Sequence, residues 1–97
     1  MIGSFADRGT ADIFDGTDSS AARRTCPQSL RSVARRKLDQ VNRVRDLGEL
    51  AVPPENHLER LRGKRAGQHS IRINEQYRIS FRWENGDAHD VEIADYH

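Results

Sequence analysis

Tyr77-Arg78-Ile79-Ser80-Phe81-Arg82-Trp83-Glu84-Asn85-Gly86-Asp87-Ala88-His89-Asp90-Val91-Glu92-Ile93 is the stretch that decides the fold. Tyr77, Ile79, Phe81 and Trp83 alternate with Arg78, Ser80 and Arg82, the period of a strand with one buried face. Glu84-Asn85-Gly86-Asp87 reads as a tight turn. After it His89, Val91 and Ile93 alternate with Asp90, Glu92 and Ala94. Keeping both apolar sets on one face predicts 81 opposite 91 and 79 opposite 93. Arg82 then faces Asp90, and Arg78 faces Ala94 with Tyr96 diagonal to it. A one-residue slip would bury the charges, so the register is strongly specified.

Upstream, Ile71 and Ile73 alternate with Ser70, Arg72 and Asn74, and Lys64-Arg65-Ala66-Gly67 reads as a turn. Leu58 and Leu61 belong to a further short strand ending at Gly63. The result is an antiparallel meander with one apolar face, which needs a cover. That cover is the segment near 27–45, where Leu30, Val33, Ala34, Leu38, Val41 and Val44 recur at helical spacing. Pro27 suits its first turn, and Gly48 with Pro53-Pro54 ends it. Asp18-Ser19-Ser20 starts a shorter helix near 19–25. Met1 to Phe5 reads as a short strand, and Ala11, Ile13 and Phe14 as one helical turn between Gly9 and Gly16. The fold class expected is α+β, with an N-terminal strand and two helices packed on a small antiparallel sheet, as one domain over 1–97.

Composition narrows the function classes. The 97 residues carry 16 Lys and Arg against 15 Asp and Glu, with one Cys. One Cys allows no internal disulfide and suits a reducing, cytoplasmic setting. Neither an apolar leader nor a run long enough to span a membrane occurs, so no membrane partner is expected. The net charge of +1 hides a partition. Residues 21–45 hold eight basic side chains against Asp39, and residues 60–82 hold seven against Glu75. Residues 83–97 hold five acids and neither Lys nor Arg.

Three features point to chemistry. Arg60, Arg62, Lys64, Arg65, Arg72, Arg78 and Arg82 form a basic segment suited to a phosphate backbone, since arginine presents a planar fork of donors. The plain alternative is a solvated strand face held in ion pairs, as Arg82 with Asp90 would be. Arg31, Arg35 and Arg36 on the long helix suit RNA or an acidic partner, or simply a solvated outer face. Asp95-Tyr96-His97 joins a carboxylate, a stacking phenol and an imidazole with a pKa suited to proton transfer. His57, His69, His89 and Cys26 have no metal-ligand spacing, so no metal and no cofactor are expected. A nucleophilic-serine elbow, a phosphate-binding loop and a zinc-protease helix are equally without support. Cys26 and Trp83 read as packing residues.

In this order the motifs resemble HigB-type toxins, the plasmid maintenance killer branch of the RelE-like superfamily. The resemblance runs through Met1-Ile2-Gly3-Ser4-Phe5, Gly9-Thr10, Ile13-Phe14-Asp15-Gly16 and Leu58-Glu59-Arg60-Leu61-Arg62-Gly63 with Arg65 and Gly67. It continues through Ser70-Ile71-Arg72-Ile73-Asn74, Gln76-Tyr77-Arg78-Ile79, Phe81 to Ala88, and Asp95-Tyr96-His97. It implies a ribosome-dependent, metal-independent mRNA endoribonuclease that inhibits translation. It also implies neutralisation by a cognate HigA-like helix-turn-helix antitoxin, with operator DNA bound only through the antitoxin complex. By position, Arg78, Asp95, Tyr96 and His97 match family catalytic residues, and Arg62 stands where relatives often carry Lys. Glu59 stands where one branch carries His, which moves weight onto His97. Rival readings are a ParE-like gyrase inhibitor with the same fold, a pure RNA- or antitoxin-binding module, and a degenerate toxin kept as co-repressor.

On the family reading His97 transfers a proton, a role worth about 10²–10⁴-fold. His97→Ala is therefore expected to abolish growth arrest in cells lacking antitoxin, with an unchanged circular dichroism melt. Arrest at comparable expression would remove His97 from the mechanism.

Overall fold

The hairpin quoted above forms β3 (Tyr77–Glu84) and β4 (Asp87–Asp95) in a computed structural model that describes residues 1–95. Asn85 and Gly86 make the turn with φ of 52° and 81°. Two successive left-handed residues match the twist of the flanking strands. The turn pairs Glu84 with Asp87, Trp83 with Ala88 and Arg82 with His89. Carried on unbroken, that register would set Asp90 opposite Phe81, and opposed residues share a face. A carboxylate would enter the core.

A bulge prevents this. The register shifts between Ser80 and Arg82, Asp90 turns to φ 53°, and beyond it Ile79 faces Ile93 and Arg78 faces Ala94. The expected 79–93 and 78–94 pairs are present. The expected pairing of Arg82 with Asp90 is corrected to Arg82 with His89, because the turn fixes one register and the apolar face another. Arg82 Nε still donates to Asp90 Oδ2 at 2.8 Å. Ala88 rather than His89 therefore joins Val91 in the core. His89 is half-buried against Gly3, where a Cβ would come within 2.6 Å of the ring.

Two further strands, β1 (Glu59–Arg60) and β2 (Gln68–Arg72), complete an antiparallel sheet in the order β1-β2-β3-β4. The free edge of β4 is covered by the N-terminal segment. Ile2 and Phe5 bridge to Ala88 and Val91 in parallel, and Gly3 N–H donates to the Ala88 carbonyl at 2.7 Å. Only isolated bridges form, so residues 1–5 are an extended edge cover and not a regular strand.

Three α-helices occupy the other layer: α1 (Arg8–Asp15), α2 (Ser20–Thr25) and α3 (Arg31–Arg43). The single turn expected around Ala11 to Phe14 is a full helix because Asp7 caps it, accepting from Thr10 N–H at 2.7 Å. Ser19 caps α2 in the same way, accepting from Ala22 N–H at 3.0 Å. After Pro27 a short 3-10 turn leads into α3, whose Ala34, Leu38 and Val41 are buried against the sheet. Their partners are Ile71, Ile79, Phe81 and Val91, and Trp83 meets Phe81 edge-on at 6.4 Å. Burying side chains of this size contributes about 1.5–3 kcal/mol each, before the opposing chain entropy. Thr10 Oγ1 accepts from Ile93 N–H at 3.0 Å and ties α1 to β4.

The helices thus cover one face of the sheet and leave the other to polar side chains. The contact of α1 with α2 is the tightest point of the helical layer. A Cβ on Gly9 would overlap Thr25 Oγ1 and lie 2.7 Å from the Ala21 carbonyl oxygen. Gly9→Ala is expected to push α1 away from α2 and lower stability by about 1–3 kcal/mol, measured by urea denaturation. An unchanged midpoint would show that the two helices separate without cost.

Candidate functional site

Strand register sorts the polar side chains of the open face into rows, since opposed residues point the same way. Gln68, Arg82 and His89 form one row, and Glu59, Ser70, Ser80 and Glu92 the next. Arg72, Arg78 and Ala94 form the third. Ser70 and Ser80 are fully buried although they face away from the helices. Arginine side chains roof them.

Arg78 lies flat over its neighbours, with its side chain 14% exposed. Its Nε donates to Ser70 Oγ at 2.8 Å and its Nη2 to the His57 carbonyl at 2.7 Å. Glu59 Oε1 stands 3.8 Å from the same Nη2. Two charge-assisted bonds on adjacent donors fix the plane of the guanidinium, which is what a phosphate-binding group requires before substrate arrives. Arg65 reaches over the middle of the sheet. Its Nη1 donates to Ser80 Oγ at 3.0 Å and to Gln68 Oε1 and Glu92 Oε1 at 3.2 Å. Arg82 lies between Asp90 and Glu84; the Asp90 hydrogen bond, helped by the Glu84 charge, holds its proton more tightly than usual. The face is therefore a lattice of arginines and acids. Exposed pairs of this kind are worth about 0–1 kcal/mol, so an incoming phosphate can replace the carboxylates at small cost.

The basic segment does not all lie on this face. Arg60 pairs with His69, which pairs with Phe81, so Arg60 belongs to the helix-covered side at the sheet edge. Burial lowers the pKa of His69, and the Arg60 charge lowers it further. Arg62 and Lys64 are exposed around the 63–65 turn, with no side-chain hydrogen bond or ion pair among the described residues. Arg62, just past β1, lies five residues along the chain from His57, the position that continues the row of Arg72 and Arg78, roughly 16 Å at 3.3 Å per residue. Asp95 pairs with Tyr77 on the rung beside Arg78 and Ala94. The side chains of that rung alternate to the helix-covered side, and Asp95 Oδ2 accepts from Gln76 Nε2 at 2.9 Å. Arg72, Arg78 and Asp95 are thus gathered at one end of the sheet. Tyr96 and His97 lie outside the described residues.

Three contributors were not singled out by sequence reasoning. Ser70 and Ser80 occupy the polar phase of their strands and gave no signal of burial. Lys37 did have one: it stands four residues after Val33 and four before Val41, on the apolar stripe of α3. Its Nζ donates to Asn56 Oδ1 at 2.9 Å and to the Arg72 carbonyl at 2.6 Å. Burial lowers its pKa, with Arg36, Arg72 and Arg78 adding to the effect and Glu55 opposing it. Cys26 is buried, which raises its thiol pKa, as suits a packing residue. Among the described residues, no group of three or more His, Cys, Asp or Glu is placed to hold a metal ion.

A four-stranded antiparallel sheet with helices on one face is the α+β architecture that a RelE-like fold requires. Residues 3–97 match the family described as "RelE-like toxin of type II toxin-antitoxin system HigB", and the chain belongs to that family. It is 38% identical over 65 residues to "Toxin HigB-1" of Vibrio cholerae. It is equally 38% identical over 65 residues to an uncharacterized protein of Haemophilus influenzae. Each match covers 67% of this chain. It spans 68% of the Vibrio protein and 64% of the Haemophilus protein, just under two thirds of the latter's length.

The Ser70 hydroxyl is what orients Arg78. Ser70→Ala is expected to leave the sheet intact and free the guanidinium, removing a bond worth about 1–3 kcal/mol. In a proton–nitrogen NMR spectrum the Arg78 Nε–H should then exchange rapidly with water. A signal as protected as in the wild type would show that the His57 carbonyl holds Arg78 alone.

Proposed function

We propose that the chain, acting as one domain over 1–97, is a ribosome-dependent mRNA endoribonuclease of the cytoplasm. We further propose that a cognate HigA-like helix-turn-helix antitoxin neutralises it and carries it to operator DNA. The observation that carries this reading is Arg78: a guanidinium pre-aimed by Ser70 and His57, at the end of the sheet where β4 reaches Asp95, in a chain of the HigB family.

Cleavage of RNA by its own 2′-OH has three demands. The hydroxyl proton must leave as its oxygen attacks phosphorus, the charge of the five-coordinate phosphorane must be stabilised, and the departing 5′-oxygen must gain a proton. Arg78, with Arg62, meets the phosphate charge. His97 donates the proton to the 5′-oxygen, Tyr96 stacks on or bonds the substrate, and Asp95 holds the chain end or accepts a proton. Arg65, Arg72 and Arg82 line the approach with Lys64, and their carboxylate partners yield to the RNA backbone. None of these steps draws on a metal or cofactor.

Removing a charge-stabilising donor from such a site costs about 10²–10³-fold. Arg78→Ala, induced without antitoxin, should lose mRNA cleavage by that factor when 5′ ends are mapped. Arg78→Lys should recover only part of it, since an ammonium keeps the charge and loses the fork. Growth arrest by the wild type without new mRNA ends would instead favour the gyrase-inhibitor reading.

A further inference from the structure

Among the described residues the ion pairs take up three arginines of the open sheet face and leave Arg72, beside them, and arginines of α3 without an acid. Arg65 lies 3.2 Å from Glu92, Arg78 3.8 Å from Glu59 and Arg82 2.8 Å from Asp90. Arg36 and Arg43 on α3 form no ion pair among the described residues; Arg43 Nε meets only the Asp39 carbonyl, at 3.4 Å. These two arginines line a cleft of about 260 Å³ together with Lys37, Gln40, Pro53 and Asn56. Residues 36, 40 and 43 follow one stripe of the helix, and Pro53 and Asn56 stand on the facing side.

The floor of the cleft is fixed without any ligand. Asn56 is fully buried, its Nδ2 donating to Gln40 Oε1 at 3.0 Å and to the Leu50 carbonyl at 3.1 Å. Lys37 directs two of its three N–H donors to Asn56 and to the Arg72 carbonyl, leaving one. The lining contains three cations and no carboxylate, and Glu55 is the acid whose charge bears on Lys37. Arg72, whose carbonyl Lys37 holds, pairs directly with Arg78. The cleft therefore adjoins the end of the open face at which Arg78 is fixed.

We propose that this cleft is a second phosphate site, in which Arg36, Arg43 and Lys37 grip the backbone of the RNA strand whose scissile phosphate lies at Arg78. The inference rests on the nuclease reading for the identity of that strand. Its chemistry, a flexible polyanion held by arginine forks over a rigid cationic floor, rests on the cleft alone.

The test compares wild type with Arg36→Gln/Arg43→Gln by fluorescence anisotropy on a labelled 12-nucleotide single-stranded RNA across a salt series. Each lost phosphate contact reduces the slope of log K against log salt by about 0.7, so the pair should reduce it by about 1.4 and weaken binding about 25-fold at 0.1 M salt. Arg24→Gln/Arg45→Gln, the same charge change at exposed sites elsewhere, should keep the wild-type slope. Three results would overturn the proposal: no oligonucleotide binding by wild type, an unchanged slope in the first variant, or an equal loss in the control. Loss only of binding to mRNA-free ribosomes, or only of antitoxin binding, would likewise overturn it, by giving the cleft to another partner. Parallel cleavage assays separate the two readings. Ribosomal cleavage by wild type with unaltered oligonucleotide binding by the variant would sink the cleft and spare the nuclease. The expected slope change with no cleavage by wild type would sink the nuclease and keep the cleft.

Discussion

The structure depends on a conflict between two registers and on the single residue that resolves it. A two-residue Asn85-Gly86 turn pairs Arg82 with His89, whereas the apolar face needs Ile79 opposite Ile93. Both are satisfied because Asp90 bulges out at φ 53°. Without the bulge either Asp90 would lie in the core or the tight turn would open. With it, Ala88 and Val91 both reach the core face, Arg78 emerges on the open face beside Arg72, and β4 runs on to Asp95. The same strand gives the N-terminal segment the edge along which it lies. Core, edge protection and candidate site are set together by one extra residue in one strand.

The charges follow the same logic of two demands met at once. A sheet face carrying several arginines is repulsive in isolation. Glu59, Glu84, Asp90 and Glu92 stand among them and neutralise the field pair by pair. Because these pairs are largely exposed, they keep the face folded and still exchangeable. Arg78 differs from its neighbours. It is mostly covered and bonded to neutral oxygens, Ser70 Oγ and the His57 carbonyl, with Glu59 farther off at 3.8 Å, so its guanidinium is positioned by neutral partners and only loosely offset by an acid. That is the distinction between a guanidinium that supports the fold and one suited to meet a phosphorane. Lys37 extends the positive region around the end of the sheet, where Asn56 and the Arg72 carbonyl compensate its partial desolvation.

Alternation and helical spacing were enough to place the sheet, its apolar phase and the covering helix. Those periods are local, and the elements they mark were held in place by burial: Leu38, Val41, Ile79 and Phe81 are all fully enclosed. The start of α2 at Asp18-Ser19-Ser20 was equally legible, because a cap is a contact three residues away, and the structure selects Ser19 for it. The motif order also sufficed for the family, to which the chain belongs over residues 3–97. What misled was additivity. Counting residues back from the turn and counting them from the apolar face give different partners for Arg82, and only packing selects where the extra residue goes.

The site shows the same division. The sequence by itself determined which residue types were available: a run of arginines between 60 and 82, the Asp95-Tyr96-His97 end, and a lysine set into an apolar stripe. Only the tertiary structure decided how they are shared out. It turned Arg60 toward His69 on the covered side, buried Ser70 and Ser80 beneath Arg78 and Arg65, and left Arg36 and Arg43 beside Lys37 in a cleft of their own. The physical reason is range. Periodicity and caps act over three or four residues of chain, whereas a guanidinium finds its partners through space, here 8 residues away for Ser70 and 21 for His57.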